Sequence, residues 1–318
     1  MSGLTEYSEA YKPFGYPEFV EIAQVSEKMT WGEHEMDLSE DVMQWKSGVI
    51  TPEEKHHITS ILKLFTQSDV VVGQSYVDAF LPNLKNNEVR MMMLSFAARE
   101  GVHQRAYALL NDTLGLDEEI YTDFLRDPEM SSKVEFMGDF YGSSTPIFIA
   151  QDLARTVLNE GVSLFSAFVM LLNYQRHGKM KGMCEVVEWS IKDESLHVEG
   201  NTKVFLKICQ EHPEIVDDGF KADIYEMFRR GVAIEDAIID LSYAKGEPPG
   251  LPKESLKQYI RYLSDRRLIQ LGLKPNYGVK DNPLPWVDWI IAGDSFKNFF
   301  EGKVTDYSSD PFSGEWGW

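Results

Sequence analysis

The chain has 318 residues, 43% apolar and 26% charged, an ordinary globular composition with length enough for a large buried core. Its 51 acidic residues outnumber 31 Lys and Arg, giving a net charge of −20; such a surface repels polyphosphate and anionic lipid, which argues against nucleic-acid and membrane partners. Two cysteines, Cys184 and Cys209, are too few for a disulfide scaffold or for a Cys-ligated zinc or iron–sulfur site.

Met1 to Glu6 carry neither a basic stretch nor an apolar run, so no signal peptide is expected. The longest uncharged stretch, Gly161 to Gln175, has 15 residues, short of the roughly 20 that a membrane-spanning helix needs. A soluble cytoplasmic protein is expected. The first thirty residues, with Pro13 and Pro17, read as an arm. Thr51-Pro52-Glu53-Glu54 is a capping box that opens a helix running to about Phe80, where Leu81-Pro82-Asn83 breaks it. The next helix spans about Asn87 to Leu114 and stops at Gly115. A third starts at Thr145-Pro146 and continues to His177-Gly178, and a fourth runs from about Lys179 to Cys209. Shorter helices are expected near 213–231, 234–245 and 253–271. Strand signals are nearly absent. The pattern predicts an all-α helical bundle over residues 1–300, of which 1–50 form the arm and first helix. Residues 301–318, rich in Ser, Gly, Asp and aromatics, lack helical periodicity and read as a mobile tail.

Each long helix carries a carboxylate near the middle of its apolar stripe. The stripes read Ile58, Leu62, Phe65, Asp69, Val72, Tyr76; then Met93, Phe96, Glu100, His103, Tyr107, Leu110; then Ile149, Leu153, Val157, Glu160, Leu164, Phe168; then Val187, Ser190, Glu194, His197, Asn201, Phe205. Steps of three and four keep each set on one helix face. Four buried carboxylates need protonation, buried cations or metal, and no Lys or Arg lies on these stripes. Two stripes add His three residues after Glu, so one ion can take both side chains. Two Glu-x-x-His helices and two single-carboxylate helices form the ligand pattern of ferritin-like dimetal bundles. Oxygen-rich ligation with one imidazole per metal suits iron or manganese alike.

The single motif is weak: composition predicts roughly 0.6 Glu-x-x-His matches by chance, and four occur. Glu53/His56 and Glu54/His57 sit in the opening turn of a helix, where capping accounts for the Glu. Specificity lies in the full set of six. Beside Glu160 stands Gly161. A glycine inside a long helix costs about 1 kcal/mol relative to alanine, which predicts a π-bulge or distortion within 156–166.

The run Glu100-Gly101-Val102-His103-Gln104-Arg105-Ala106-Tyr107, then Glu160, then Asp193-Glu194-Ser195-Leu196-His197 resembles the small, radical-generating subunit of class I ribonucleotide reductase, over nearly the whole chain. The resemblance implies Asp69, Glu100 and His103 for one metal and Glu160, Glu194 and His197 for the other. It implies two iron ions, or two manganese ions, activated with O2. Tyr107 is then the residue oxidised to a neutral tyrosyl radical. Trp31 and Asp193 are then the route from His103 outward, with Trp45 the competing tryptophan. Tyr307, with Glu301 as a further candidate, is then the tail residue that hands the radical to the catalytic large subunit. The ending Phe312-Ser313-Gly314-Glu315-Trp316-Gly317-Trp318 supplies aromatic anchors for that partner. The resemblance also implies a homodimer, and either O2 or a more reduced oxygen species delivered by an activating flavoprotein as the oxidant.

A dimetal-carboxylate oxygenase or oxidase uses the same six ligands without needing the tail. An iron-storage protein or a metal-free bundle is a third class.

Overall fold

The structure, a computed structural model, describes residues 3–291. The expected tail 301–318, with Glu301 and Tyr307, lies outside the described residues. Among the described residues there is no strand.

Helix α1 (Pro17–Lys28) replaces the expected arm with a regular helix. Pro17 does not oppose it, because proline at the first helical position loses no intrahelical bond. Its buried Phe19, Ile22 and Ala23 pack toward α4 (Asn87–Leu114). Helix α2 (Ser39–Ser47) follows, then α3 (Pro52–Ser75), whose capping box forms as expected. Glu54 N–H donates to Thr51 Oγ1 at 3.3 Å, and Thr51 N–H to Glu54 Oε2 at 2.9 Å. The last turn of this rod, Tyr76–Phe80, is π-helical, with Leu81 N–H bonded to Tyr76 O. Asn86 caps the start of α4, and Gly115 ends it at φ +73°, in the left-handed region where glycine carries no Cβ penalty.

The sequence pattern assigns no helix between 115 and 145. The structure places two 3-10 turns there, Glu118–Tyr121 and Asp123–Arg126, and then α5 (Pro128–Met137), opened by an Asp127 cap and Pro128. The third expected long helix is α6 (Pro146–Leu158), a π-turn over Asn159–Ser163, and α7 (Leu164–Leu172). The predicted distortion is there: Leu164 N–H reaches back five residues to Asn159 O. This run has the length and apolar character of a membrane span, yet its apolar window is entirely buried inside the bundle. Helix α8 (Lys181–Glu211) is the fourth long rod.

The sequence pattern gives two shorter helices near 213–231 and 234–245. One helix, α9 (Asp218–Ser242), runs through instead. Gly231 marks close packing there: a Cβ would lie 2.9 Å from Leu158 Cδ2 of α6. Helices α10 (Lys253–Gln270) and α11 (Pro285–Ile291) complete the described chain.

Helices α3, α4, α6–α7 and α8 ring one core, with α1 and α2 against α4 and α8, and α5, α9 and α10 covering the π-turn side. Each of the four stripes faces this core. Phe65 and Phe168 meet across it with ring centroids 5.3 Å apart.

Candidate metal centre

The four core helices bring the six candidate ligands to one point. Asp69 comes from α3, Glu100 and His103 from α4, Glu160 from the π-turn, and Glu194 and His197 from α8. Asp69 is 1% exposed and the other five are fully buried. They fall into two overlapping groups: Asp69, Glu100, His103 and Glu194; and Glu100, Glu160, Glu194 and His197. In each group one donor atom per residue lies within 4.8 Å of all the others. Glu100 and Glu194 reach both groups.

The donor atoms converge without bonding one another. His103 Nδ1 lies 3.2 Å from Glu194 Oε1 and 3.7 Å from Glu100 Oε2. His197 Nδ1 lies 3.1 Å from Glu100 Oε1, 3.4 Å from Glu194 Oε2 and 3.6 Å from Glu160 Oε1. Both Nδ1 atoms, both oxygens of Glu100 and of Glu194, and Asp69 Oδ2 make no hydrogen bond. Buried polar atoms are ordinarily satisfied, so this set of orphans asks for a partner of another kind. Burial pushes the Asp69 carboxyl well above its usual range and Glu160 up to about 7. Four carboxylates with neutral imidazoles carry four negative charges, which two divalent cations cancel. Ligand atoms about 2.0–2.2 Å from an ion lie up to roughly 4.4 Å apart across it, and each group spans about that. The residues present fit two divalent ions.

Tyr107, one turn beyond His103, is fully buried. Its Oη donates to Ser190 Oγ at 2.9 Å, and its ring lies 4.3 Å from that of Phe65. Burial, then the nearby Asp69 charge, push its phenol well above the usual value. On the other side of His103, Asp193 Oδ2 lies 3.0 Å from the ring Nε2. The same oxygen accepts from Trp31 Nε1 at 2.9 Å and from Arg99 Nε and Nη2 at 3.1 and 3.0 Å. These cationic and imidazole neighbours hold the Asp193 carboxyl below its usual range against the opposing effect of burial. Trp31 stacks on His103 at 5.7 Å, so Trp31 rather than Trp45 adjoins the cluster. Trp45 packs elsewhere, under the Lys55 ammonium. The Glu54/His57 pair serves structure: Glu54 caps α3 and pairs with Lys179 at 2.7 Å, and His57 meets Tyr174 Oη.

Residues 8–283 match the family model described as ribonucleotide reductase, small chain. The chain belongs to the ribonucleotide reductase small-chain family. It is 36% identical over 326 residues to a probable ribonucleoside-diphosphate reductase small subunit of Invertebrate iridescent virus 3, covering 97% of this chain and 86% of that one. Among solved structures, the ribonucleotide reductase R2 subunit from Clostridium botulinum superimposes with a TM-score of 0.82 at 21% identity, over 89% of this chain and 91% of that one. The dimanganese(II)-NrdF of Streptococcus sanguinis gives 0.79 at 20% identity, over 90% and 99%. The fold is the ferritin-like bundle of these small chains, and the enzyme class is oxidoreductase, as the small subunit of ribonucleoside-diphosphate reductase.

This small chain holds its centre with residues to which the stripe pattern assigned no role. Tyr76 Oη donates to Glu160 Oε1 at 2.6 Å, and Asn201 Nδ2 donates to Glu160 Oε2 at 3.1 Å. Both lie on the stripes, where a polar group among apolar ones was the available signal. Arg99 lies off the stripe beside Glu100, and its pairing with Asp193 spans 94 positions of sequence; no local pattern reports such a contact.

Proposed function

We propose that this small chain generates a tyrosyl radical and passes it to the catalytic large subunit for deoxyribonucleotide synthesis. Asp69, Glu100, His103, Glu160, Glu194 and His197 would hold two divalent ions; Glu100 and Glu194 belong to both donor groups. Iron is the first reading and manganese the second. When bound, the ions supply the reduction of O2 that yields a one-electron oxidant beside Tyr107, or use oxygen already reduced by an activating flavoprotein in the manganese case.

Tyr107 gives one electron and its Oη proton to that oxidant, leaving a neutral radical. Beforehand Tyr107 Oη carries that proton and donates it in a hydrogen bond to Ser190 Oγ. Phe65 and complete burial keep water and reductants from the ring. Asp193 fixes the far nitrogen of His103 and so orients the imidazole toward the cluster. The oxidising equivalent leaves through Asp193 and Trp31 and then Tyr307, with Glu301 beside it, to a cysteine of the large subunit. There it starts reduction of the ribonucleotide. Residues 301–318 dock that partner, and the small chain acts as a homodimer.

The observation that carries this reading is a buried tyrosine one helical turn from a ligand-competent His whose other nitrogen is wired to a tryptophan. Low-temperature EPR tests it. Apoprotein loaded with Fe(II) and exposed to O2 gives a tyrosyl signal that Tyr107→Phe abolishes with metal binding intact. A signal unchanged in Tyr107→Phe overturns the assignment. A signal only with Mn(II) and a flavoprotein selects the second metal.

A further inference from the structure

Two buried cations outside the cluster meet the turn that carries Glu160. Arg267 of α10 donates its Nε–H to Gly161 O at 3.2 Å. Lys133 of α5 donates through Nζ to Ser163 O at 3.0 Å. Glu235 of α9 neutralises Lys133, with Nζ to Oε1 at 2.9 Å, and Ser166 Oγ donates to Glu235 Oε2 at 2.5 Å. Arg267, Lys133 and Glu235 are all at most 3% exposed. Burial pushes Arg267 down to about 10, so it still carries its charge at neutral pH.

The location of these contacts has a physical reason. A π-turn inserts one residue into the helical ladder, so carbonyls within it lose the regular i+4 donor. A buried carbonyl left without a donor is costly. Here Arg267 of α10 supplies Gly161 O, and Lys133 of α5 supplies Ser163 O together with Ser166 Oγ at 3.3 Å; both carbonyls flank Glu160 on its C-terminal side. The same contact explains Gly161: a Cβ there would stand 2.5 Å from Arg267 Nε and 3.0 Å from its Cδ. The glycine admits the guanidinium to the backbone.

We propose that Arg267 and Lys133 are positioning residues for Glu160, holding the π-turn in the register that aims its carboxylate into the cluster. The inference rests on the dimetal reading above. It makes the ion on the Glu160–His197 side depend on α5 and α10. The ion on the Asp69–His103 side does not.

The test is Mn(II) titration of full-length apoprotein, followed by EPR and calorimetry, for wild type, Arg267→Met and Gly161→Ala. Arg267→Met removes the donor; Gly161→Ala displaces it from the other side while adding a residue that favours helix. Both variants are expected to bind one Mn(II) as wild type does and the second roughly ten-fold or more weakly. Arg267→Lys keeps a donor on a shorter stem and recovers much of that loss. A role limited to docking α10 lowers the melting temperature and leaves both affinities unchanged, and that result overturns the proposal. Amide exchange of residues 159–168 in the metal-free proteins gives a second readout. It rises in both variants if the cations hold the turn, and wild-type protection in both also overturns the proposal. A wild-type chain that takes fewer than two ions sinks the dimetal reading instead, and the exchange comparison still decides the inference.

Discussion

Tyr76 and Glu160 are joined by a 2.6 Å hydrogen bond between two π-turns, one ending the α3 rod and the other linking α6 to α7. Each turn interrupts the regular α-helical ladder at or beside the residue that makes this contact. Asn201 of α8 closes the triangle, donating to Tyr76 Oη at 2.8 Å and to Glu160 Oε2 at 3.1 Å. Both oxygens of Glu160 are therefore oriented by neutral donors. Glu100 and Glu194 have no such partners.

Tyr76→Phe tests that triangle. The ring and its packing on Phe80 and Phe96 remain, but Glu160 Oε1 and Asn201 lose a buried partner. The expected cost is about 1–3 kcal/mol of stability in the metal-free protein. Chemical denaturation with and without Mn(II) measures it. The loss shrinks with metal present if the ion takes over the freed Oε1 and stays constant if it does not.

Trp31→Phe separates radical formation from radical export. The substitution keeps an aromatic ring beside His103, removes the indole N–H given to Asp193, and shrinks the ring that packs on Trp189 and under Arg99. That carboxylate retains Arg99 and His103, so the lost hydrogen bond costs about 1 kcal/mol, to which the smaller ring adds its own packing loss. Metal loading and the Tyr107 signal are expected to match wild type. Turnover with the large subunit is expected to vanish. Wild-type turnover in this variant would remove Trp31 from the route.

The donor set was legible because each of the six interrupts an apolar stripe at mid-helix, and helical spacing alone puts Glu100 with His103 and Glu194 with His197. Glu160 was legible as a distortion too, through its glycine neighbour. The contacts that hold the site were not legible, since Arg99, Lys133 and Arg267 find their partners across the bundle. Helix α9 misled for a related reason. The two ranges near 213–231 and 234–245 are one helix, and the glycine inside it, Gly231, answers to close packing on Leu158 of another helix. Pro17 misled in the opposite sense, because proline both ends and begins helices, and only packing against α4 decides which.

His57 makes stability depend on pH away from the metal centre. It is 3% exposed, bonded at Nδ1 to Tyr174 Oη, with the Tyr243 ring edge-on at 5.4 Å and the Glu54–Lys179 pair and His56 nearby. Burial, and to a lesser degree His56, push its pKa down to about 4. The unfolded chain titrates near 6.5. Below that pH the unfolded chain takes up a proton that the folded chain refuses. The stabilisation is complete above about pH 6.5 and is lost as pH falls toward 4, about 3 kcal/mol in all. In His57→Gln the difference in unfolding free energy from wild type is expected to narrow across that window. A difference independent of pH would refute this.

Removing residues 302–318 separates this small chain from an oxygenase built on the same six ligands. The deletion leaves every helix of the described bundle and every donor of the cluster in place. A dimetal oxidase acting on a small substrate needs nothing from that segment. A radical-exporting subunit loses Tyr307 and the aromatic, acidic ending that anchors its partner. The truncated protein is expected to load two ions and give the Tyr107 signal at wild-type yield. Its turnover with the large subunit is expected to fall to background. A synthetic peptide of residues 302–318, added to the full-length complex, is expected to inhibit by occupying the partner's docking groove. Full turnover with the large subunit by the truncated chain would reject export through the tail.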